Sequence, residues 1–169
     1  MNLEGKVVAI TGGGRGLGRA FASELADKRA NLALVDLNQD DLNATKEMAL
    51  DKGVKAQTYV TNVAKEDEVV FLFDQIVKDF GQVDGLINNA GITRDGLIVR
   101  KRKIKDEAGS VTGEEIQKMS LQNWQLVIDV NLTGVFLCAR EFFEKQLQLG
   151  GKGVCINISK PTTRPQKLV

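Results

Sequence analysis

The sequence contains no histidine and only two cysteines, which limits the chemistry available to it. Without histidine, a serine or cysteine nucleophile activated by that residue is excluded, and a zinc site is not expected. Cys138 and Cys155 lack the Cys-x-x-Cys spacing of many metal and redox sites, and both stand in apolar stretches. We interpret them as two buried free thiols, and we predict no metal site.

Long apolar runs and a strong charge of either sign are also missing. No stretch approaches the roughly 20 apolar residues of a membrane helix, and the first six residues lack the apolar core of a signal peptide. The formal net charge of +1 gives no general reason to expect nucleic acid as a partner. The 169 residues, 43% hydrophobic and 27% charged, are typical of one globular domain. We predict a cytoplasmic protein with no membrane or nucleic-acid partner.

A glycine-rich stretch, residues 11–18, follows an apolar run and precedes a helical pattern. Its spacing is Thr-Gly-x-x-x-Gly-x-Gly, with glycines at Gly12, Gly16 and Gly18. Glycine lets the backbone turn tightly and approach a ligand, while the first N–H groups of a helix and its positive dipole end favour an anion. The stretch predicts a phosphate-binding turn. An ordinary strand-to-helix turn is the alternative.

Short apolar strands alternate with amphipathic helices through the first half of the chain. We predict strands at 6–10, 32–35, 55–60 and 84–87, with helices at 16–28, 39–52 and 66–80. This order predicts an α/β fold of the Rossmann type, a doubly wound parallel sheet with helices on both faces. Ligands of such sheets bind at the carboxyl ends of the strands, where Gly12, Asp36, Asn62 and Asn88 fall.

Asp36 follows the second strand and lies 18 residues beyond Gly18. This spacing is close to the roughly 20 residues expected for the acid that binds the adenosine ribose of a dinucleotide. Its carboxylate would repel a 2′-phosphate, which favours NAD over NADP, although Arg15 in the glycine turn leaves NADP open. The alternative is that Asp36 is an N-cap or loop acid before the next helix.

With these patterns in place, the chain resembles the short-chain dehydrogenase/reductase family over about residues 3–159. The resemblance rests on the glycine spacing of residues 11–18, on Asn-Asn-Ala-Gly at 88–91, on Asn131 in a long helix and on Ser159 after a fifth strand. Residues 89–95 and 131–136 are most similar to 3-oxoacyl-acyl carrier protein reductases. The resemblance implies an oxidoreductase that transfers hydride between a nicotinamide cofactor and a carbonyl or alcohol, with 3-oxoacyl thioester reduction in fatty acid synthesis as the favoured reaction.

The resemblance also implies which residues hold the cofactor. The pyrophosphate and nearby ribose would contact the glycine turn, at Gly12, Arg15, Gly16, Leu17 and Gly18. Asp36 would bind the adenosine ribose, Asn62 and Val63 the adenine, and Asn89, Ala90 and Gly91 the nicotinamide half. Asn88 and Asn89 have an additional structural interpretation, in which their amides tie strand ends together.

Two catalytic residues follow from the same resemblance. Asn131 would hold a water of a proton relay, and Ser159 would donate a hydrogen bond to the substrate carbonyl. Asparagine is a poor helix former, so a local interaction should favour Asn131 at its position. The alternative is an ordinary polar residue on the helix surface.

The proton-donating tyrosine of the family and its lysine come from a Tyr-x-x-x-Lys helix, which does not follow Ser159 here. The one tyrosine of the sequence, Tyr59, lies on another predicted strand. We therefore expect a chain truncated at its carboxyl end, with a cofactor-binding domain at 1–159, an irregular tail at 160–169, an incomplete sheet after the fifth strand and impaired turnover.

This truncation also carries expectations about partners. We expect an exposed apolar edge on the fifth strand and on the helix at 131–149, leading to marginal stability or self-association. The full-length form is expected to be a homo-oligomer that takes a small carbonyl or acyl thioester substrate. The alternative is a non-catalytic nucleotide-binding fragment that associates with an intact homologue.

Residues 96–120 form a polar segment longer than the corresponding connection in the family, and residues 100–105 read Arg-Lys-Arg-Lys-Ile-Lys. We interpret it as a solvated hairpin or mobile loop, with Gly109 and Gly113 at turns. The alternative is a docking patch for an acidic partner such as acyl carrier protein. Ser120 is the predicted N-cap of the helix that follows.

Overall fold

A parallel five-stranded sheet forms the centre of the computed structural model, which describes residues 2–94 and 97–159. In chain order the strands are β1 (Val7–Thr11), β2 (Asn31–Asp36), β3 (Ala56–Val60), β4 (Gly85–Asn88), β5 (Val99–Lys105), β6 (Val111–Lys118) and β7 (Val154–Asn157). The sheet has the order β3-β2-β1-β4-β7, and all its neighbours pair in parallel. The predicted doubly wound α/β fold is confirmed.

The α-helices that accompany these strands are α1 (Gly16–Asp27), α2 (Gln39–Asp51), α3 (Glu66–Phe80), α4 (Leu121–Ile128) and α5 (Gly134–Leu149). A π-helical turn, Asp129–Thr133, joins α4 to α5. Ser120 caps α4, because its side chain accepts a hydrogen bond from the Asn123 N–H at 3.2 Å, as predicted. None of the helices within the described residues is both long enough and apolar enough for a membrane crossing.

Alternate residues of the central strands belong to two separate cores, which explains their continuous apolar sequences. Ile10 and Leu34 pack in the core that also contains α1 and α2 residues such as Ala22 and Leu42. The opposite core contains residues of α3 and α5, among them Phe73, Ile76 and Phe142, all fully buried. The helices therefore cover both faces of the sheet and leave its carboxyl edge open to loops.

The segment after β4 forms a two-stranded antiparallel hairpin, β5–β6, separate from the main sheet. Gly109 lies at its turn with φ +83°, where its N–H donates to the Asp106 carbonyl at 2.9 Å. Gly113 was predicted at a turn, and this prediction is wrong, because Gly113 lies within β6 opposite Ile104, beside an irregularity in the strand register. The predicted hairpin is present and almost every side chain of the pair is exposed, while docking of an acidic partner stays a prediction.

The charge run on β5 meets acidic residues on β6. Arg102 lies opposite Glu115 in the register, and Lys103 lies opposite Glu114. Arg102 approaches Glu115 at 3.6 Å, and Lys101 approaches Glu114 at 3.4 Å. Opposite charges across a strand pair stabilise the pairing. Part of the charge run therefore supports the hairpin itself.

Among residues 2–94 and 97–159, β7 is an edge strand of the sheet, and apolar side chains there face solvent. Val154 and Ile156 are each 47% exposed, and Phe136 and Leu147 of α5 are 60% and 85% exposed. The expected apolar exposure on this strand and helix is present, while self-association stays a prediction. Cys138 is buried as predicted, but Cys155 on β7 is only partly buried. The predicted irregular tail, residues 160–169, lies outside the described residues.

Candidate functional site

The turn between β1 and α1 opens toward the carboxyl edge of the sheet. Gly12 and Gly16 have positive φ values of +65° and +54°, which glycine adopts without steric cost. A Cβ added at Gly16 would meet no atom within 4 Å, so the space in front of α1 is open. The first N–H groups of α1, which begins at Gly16, have no intrahelical acceptor. Arg15, at the N-cap position, and Leu17, 54% exposed, flank the opening.

Gly18 is the point of closest approach within this turn. A Cβ at Gly18 would lie 2.0 Å from the Gly12 carbonyl oxygen and 2.9 Å from Asn89 Nδ2, so a larger residue displaces the turn. Asn89 holds the turn to the end of β4, because its Nδ2 donates to the carbonyl oxygens of Thr11 and Gly12 at 3.1 and 3.2 Å. The structural role predicted for the Asn89 amide is thereby confirmed.

Asp36 stands at the end of β2 beside the glycine turn. Its Oδ2 accepts a hydrogen bond from the Gly14 N–H at 3.1 Å, and its Oδ1 accepts from the N–H groups of Leu37 and Asn38 at 2.7 and 3.3 Å. A carboxylate has about four acceptor positions, so these three bonds leave capacity for one more donor. The N-cap of α2 is Asn38, which accepts from the Asp41 N–H at 3.0 Å. The N-cap alternative for Asp36 is therefore wrong, while the loop-acid alternative agrees with its bonds to the N–H groups of Leu37 and Asn38.

Asn62 and Val63 follow β3 and differ in exposure. Asn62 Oδ1 accepts from the Ala64 N–H at 3.0 Å, which makes a local turn, and its own N–H donates to Glu68 Oε2 at 2.7 Å. The Val63 side chain is buried in the core against Gly134, where a Cβ would come within 2.9 Å of Val63 Cγ2. Asn62 thus lies at the carboxyl edge, while the Val63 side chain lies beneath it.

The end of β4 is organised by the hydroxyl of Thr11, a buried residue. Thr11 Oγ1 accepts from the N–H groups of Asn89 and Ala90, both at 3.0 Å. Asn88, also buried, donates from Nδ2 to Asn157 Oδ1 on β7 at 3.0 Å, as expected of a strand tie. The Thr11 hydroxyl was not among the predicted site residues. A polar residue at the end of an otherwise apolar strand was the feature of the sequence that could have indicated it.

Asn131 lies within the π-helical turn and faces the loop after β4. Its Oδ1 accepts from the Ile92 N–H and its Nδ2 donates to the Ile92 carbonyl, each at 2.9 Å. A Cβ on the neighbouring Gly91 would lie 3.4 Å from Asn131 Oδ1, which is ordinary contact. The alternative of an ordinary surface position is wrong, because the side chain binds a specific backbone segment. Short π-helical turns are frequent at functional sites.

Ser159 follows β7 and is exposed at the same edge of the sheet. The Ile158 N–H donates to the Asn88 carbonyl at 2.9 Å, which carries the β4–β7 pairing up to the serine. Tyr59 is on β3, the opposite edge strand. Its hydroxyl donates to Asp79 Oδ2 at 2.8 Å, and burial, reinforced by this bond, raises the tyrosine pKa well above its usual range. Tyr59 is therefore neither near Ser159 nor suited to lose a proton.

A cleft of about 220 Å³ lies between the hairpin and α4. Its lining includes Arg94 and Arg100, with Ser120 and Asn123 from the start of α4. Arg100 donates from Nε to Gln117 Oε1 at 2.8 Å. Since Arg94 follows the loop held by Asn131, this cleft adjoins the carboxyl edge of the sheet.

Comparisons with known proteins agree with this arrangement. The sequence model of a family described as short chain dehydrogenase matches residues 6–166. The chain is 36% identical over 155 residues to the 3-oxoacyl-[acyl-carrier-protein] reductase FabG of Staphylococcus epidermidis, a match that covers 91% of this chain and 56% of that protein. The chain thus spans just over half the length of this curated relative.

Solved structures with different cofactors are similar to this chain. An NAD⁺-bound xylitol dehydrogenase matches with a TM-score of 0.74 and 27% identity, covering 93% of this chain and 54% of that one. An NADPH-dependent 3-quinuclidinone reductase from Rhodotorula rubra matches with a TM-score of 0.75 and 30% identity, covering 92% of this chain and 52% of that one. The likeness extends over nearly all of the chain in both cases.

Proposed function

Because the chain belongs to the short-chain dehydrogenase family, we propose that it binds a nicotinamide dinucleotide at the carboxyl edge of its sheet. The whole protein would use that cofactor in hydride transfer between the nicotinamide and a carbonyl or alcohol carbon. The observation that carries this proposal is the meeting of the open glycine turn, Asp36 and the β4 end, which are bonded to one another through Gly14 and Asn89.

The residues at this edge fit the parts of such a cofactor. The open space in front of Gly16 and the free N–H groups of α1 suit a pyrophosphate, because backbone N–H donors and a helix N-terminus stabilise anionic oxygens. Gly12, Arg15, Leu17 and Gly18 would complete this contact. The remaining acceptor capacity of Asp36 suits a ribose hydroxyl, a neutral donor.

The same carboxylate supports NAD as the preferred cofactor. Two backbone N–H groups and the Gly14 N–H hold Asp36 at the turn, where it would repel the added charge of a 2′-phosphate. Arg15 is exposed nearby and is the residue through which NADP could still be accepted. The relatives include both NAD⁺-bound and NADPH-dependent proteins, so the choice between the two is part of this proposal.

The remaining contacts extend along the edge of the sheet. Asn62 would bind the adenine, together with the backbone of Val63. Asn89, Ala90 and Gly91 would lie against the nicotinamide half, where small residues let a flat ring approach the backbone. Thr11 Oγ1 holds the backbone N–H groups of Asn89 and Ala90, which supports this surface without a ligand.

The chemistry proposed for the edge beyond β4 assigns roles to two polar residues. The cofactor, when bound, supplies or accepts the hydride. The Ser159 hydroxyl would donate a hydrogen bond to the substrate oxygen and orient the carbonyl. Asn131 would hold the loop that follows the nicotinamide surface, through Ile92, and would keep one amide hydrogen for a water of a proton relay.

For the substrate we propose a 3-oxoacyl thioester or a related small carbonyl compound. The support is the FabG relative, whose name describes reduction of 3-oxoacyl groups on acyl carrier protein. That carrier would be the partner for a docked substrate, with fatty acid synthesis as the setting. A cytoplasmic location stays a prediction from the sequence.

We propose that these 169 residues by themselves bind the nucleotide but turn over poorly. No tyrosine of the sequence stands near Ser159, since Tyr59 is bonded to Asp79 on the opposite edge. The second candidate function is a non-catalytic nucleotide-binding chain that pairs with an intact homologue or with its own copy. The exposed side chains of β7 and α5, including Ile156 and Phe136, favour such pairing.

Titration calorimetry with NAD⁺ and NADP⁺, combined with an NADH oxidation assay on an acetoacetyl thioester, tests the proposal. We expect saturable binding of NAD⁺, weaker binding of NADP⁺ and little oxidation. Asp36→Ala should weaken NAD⁺ binding, whereas Asp40→Ala, on the exposed first turn of α2, should not. Absence of saturable binding by either nucleotide would overturn the proposal, and rapid turnover would overturn the impaired-enzyme part alone.

A further inference from the structure

Gly14, in the middle of the glycine turn, has its N–H and its carbonyl fixed by different side chains. The N–H donates to Asp36 Oδ2 at 3.1 Å. The carbonyl oxygen accepts from Arg19 Nε at 3.0 Å and from the Thr45 hydroxyl at 2.8 Å. The position is also crowded, because a Cβ at Gly14 would lie 2.9 Å from Asp41 Cβ and 3.0 Å from Asp36 Oδ2.

Arg19 and Thr45 form one connected network around that carbonyl. Arg19 Nε also donates to Thr45 Oγ1 at 2.9 Å, and Arg19 Nη2 donates to the Asp41 carbonyl at 3.2 Å. Thr45 is fully buried, so its hydroxyl depends on these protein partners. The planar fork of the guanidinium suits several acceptors at once. The network therefore joins α1 and α2 to the glycine turn at Gly14.

We propose that Arg19 and Thr45 are positioning residues for cofactor choice, and that they act on Asp36 through Gly14. This inference rests on the proposed function, since it assumes that Asp36 faces the adenosine ribose. When Gly14 is fixed, its N–H keeps one Asp36 oxygen in place, and the carboxylate presents its free acceptor position to the ribose. When Gly14 is released, the carboxylate loses one of its three N–H donors and can turn away from a 2′-phosphate.

A purely structural role for the network makes a different prediction. If Arg19 and Thr45 only stabilise the turn, their loss weakens NAD⁺ and NADP⁺ to the same degree, because both share the pyrophosphate contact. If they position Asp36, their loss weakens discrimination between the two nucleotides. The ratio of the two dissociation constants separates these outcomes.

The experiment measures both dissociation constants by calorimetry for the full chain and four variants. Arg19→Lys keeps the charge and removes the fork, while Thr45→Val keeps the shape and removes the hydroxyl. The dissociation constant of NADP⁺ divided by that of NAD⁺ measures the preference for NAD⁺. We expect each variant to lower this ratio by about threefold to tenfold, the effect of one hydrogen bond. Thr45→Ser, which restores a hydroxyl, and Arg29→Lys, where Arg29 binds the Lys52 carbonyl away from the turn, should leave the ratio unchanged.

Arg19→Lys made in an Asp36→Ala background tests whether Arg19 acts on nucleotide preference through Asp36. The ratio should no longer respond to Arg19→Lys there, because the carboxylate that the network positions is gone. An equal loss for both nucleotides, or a response that persists without Asp36, would overturn the inference. If the unaltered chain binds neither nucleotide, the proposed function fails and the inference with it. If it prefers NAD⁺ and the ratios do not change, only the inference fails. Circular dichroism and melting establish that each variant is folded.

Discussion

The side-chain amide of Asn131 makes two hydrogen bonds to the backbone of Ile92. Its Oδ1 accepts from the Ile92 N–H and its Nδ2 donates to the Ile92 carbonyl, each at 2.9 Å. The bond joins the π-helical turn between α4 and α5 to the loop that leaves β4, across 39 positions of sequence. A side-chain amide has the donor and acceptor needed to replace a backbone partner in this way. One residue thus connects the helix that carries the predicted proton relay to the surface predicted for the nicotinamide.

Loss of this bond should loosen the loop after β4. In Asn131→Ala, the Ile92 N–H and carbonyl lose their partner, so we expect a destabilisation of about 1–2 kcal/mol and faster amide hydrogen exchange at Ile92. Exchange measured residue by residue checks this. Asn123→Ala, on the exposed start of α4, is the matched control and should change neither quantity. An unchanged exchange rate at Ile92 would contradict the assigned role.

The close approach at Gly18 predicts a specific intolerance. Gly18→Ala places a Cβ against the Gly12 carbonyl oxygen, so the turn must shift. We expect NAD⁺ affinity to fall at least about tenfold, with a destabilisation of about 1–3 kcal/mol from overpacking. Gly85→Ala is the matched control, because its Cβ would meet Val8 at an ordinary 3.4 Å. Equal NAD⁺ affinity in the Gly18 variant would argue against a pyrophosphate at this turn.

The two cysteines should differ in reactivity, with the more accessible Cys155 reacting before Cys138. Burial raises the pKa of Cys138 from 9.0 to about 12, and burial also raises the pKa of the partly exposed Cys155. Since the thiolate is the nucleophile, both should alkylate more slowly than an exposed cysteine at pH 8. Both rates should rise with pH, with Cys155 labelled ahead of the buried Cys138. Mass spectrometry of alkylated peptides checks the order, and faster labelling of Cys138 in the folded protein would contradict it.

The same raised pKa has a consequence for stability. The folded pKa of Cys138 lies above its unfolded value, so its contribution to stability is fully present below about pH 8.5 and is lost as the pH rises toward 12. The melting temperature of the unaltered chain should fall as the pH rises from about 8.5 to 12. In Cys138→Ala this fall should be smaller, because the thiol that titrates is absent. A fall of the same steepness in the variant would show that Cys138 does not contribute to it.

Charge reversal on β5 distinguishes the two interpretations of the hairpin. Arg100 and Lys105 are exposed and pair with no carboxylate among residues 2–94 and 97–159. Arg100→Glu with Lys105→Glu should leave NAD⁺ binding unchanged, because the hairpin is separate from the main sheet. If the hairpin docks an acidic acyl carrier protein, binding of that protein should weaken in the variant, and more so at low salt.

The matched control for the hairpin is Lys46→Glu, because Lys46 is a partly exposed cation that bonds a glutamine, Gln57, as Arg100 bonds Gln117. Docking at the hairpin predicts that this control binds the carrier as the unaltered chain does. Equal carrier binding by all three proteins would reject docking and leave the solvated hairpin as the full description.

Much of the fold could be predicted because local sequence and tertiary packing agree. The apolar run before the glycine turn forms a buried strand, β1 (Val7–Thr11), as the sequence predicts. The helix after Ser120 begins at the predicted N-cap. Asp36 could be placed at the edge by its spacing from Gly18. The contacts of Arg19 and Thr45 with Gly14 could not be predicted, because they depend on how α1 and α2 pack together.

Other features escaped sequence reasoning for similar reasons. The bond that Asn131 makes from the π-helical turn could not be predicted, because its partner, Ile92, is distant in sequence. Gly113 was misplaced because glycine permits both a turn and an irregular strand position, and the pairing with β5 decides between them. Cys155 lies on an edge strand, and an apolar sequence does not distinguish an edge strand from a central one.

The central claim is that a nicotinamide dinucleotide binds across the carboxyl edge of the sheet, and NMR of the backbone amides during NAD⁺ addition tests it most directly. We predict saturable shifts at Gly16, Leu17 and Gly18, at the residues flanking Asp36, and at Ala90 and Gly91, with the hairpin amides unchanged. Shifts confined to the cleft beside Arg100, or no saturable shifts at the glycine turn, would contradict the claim.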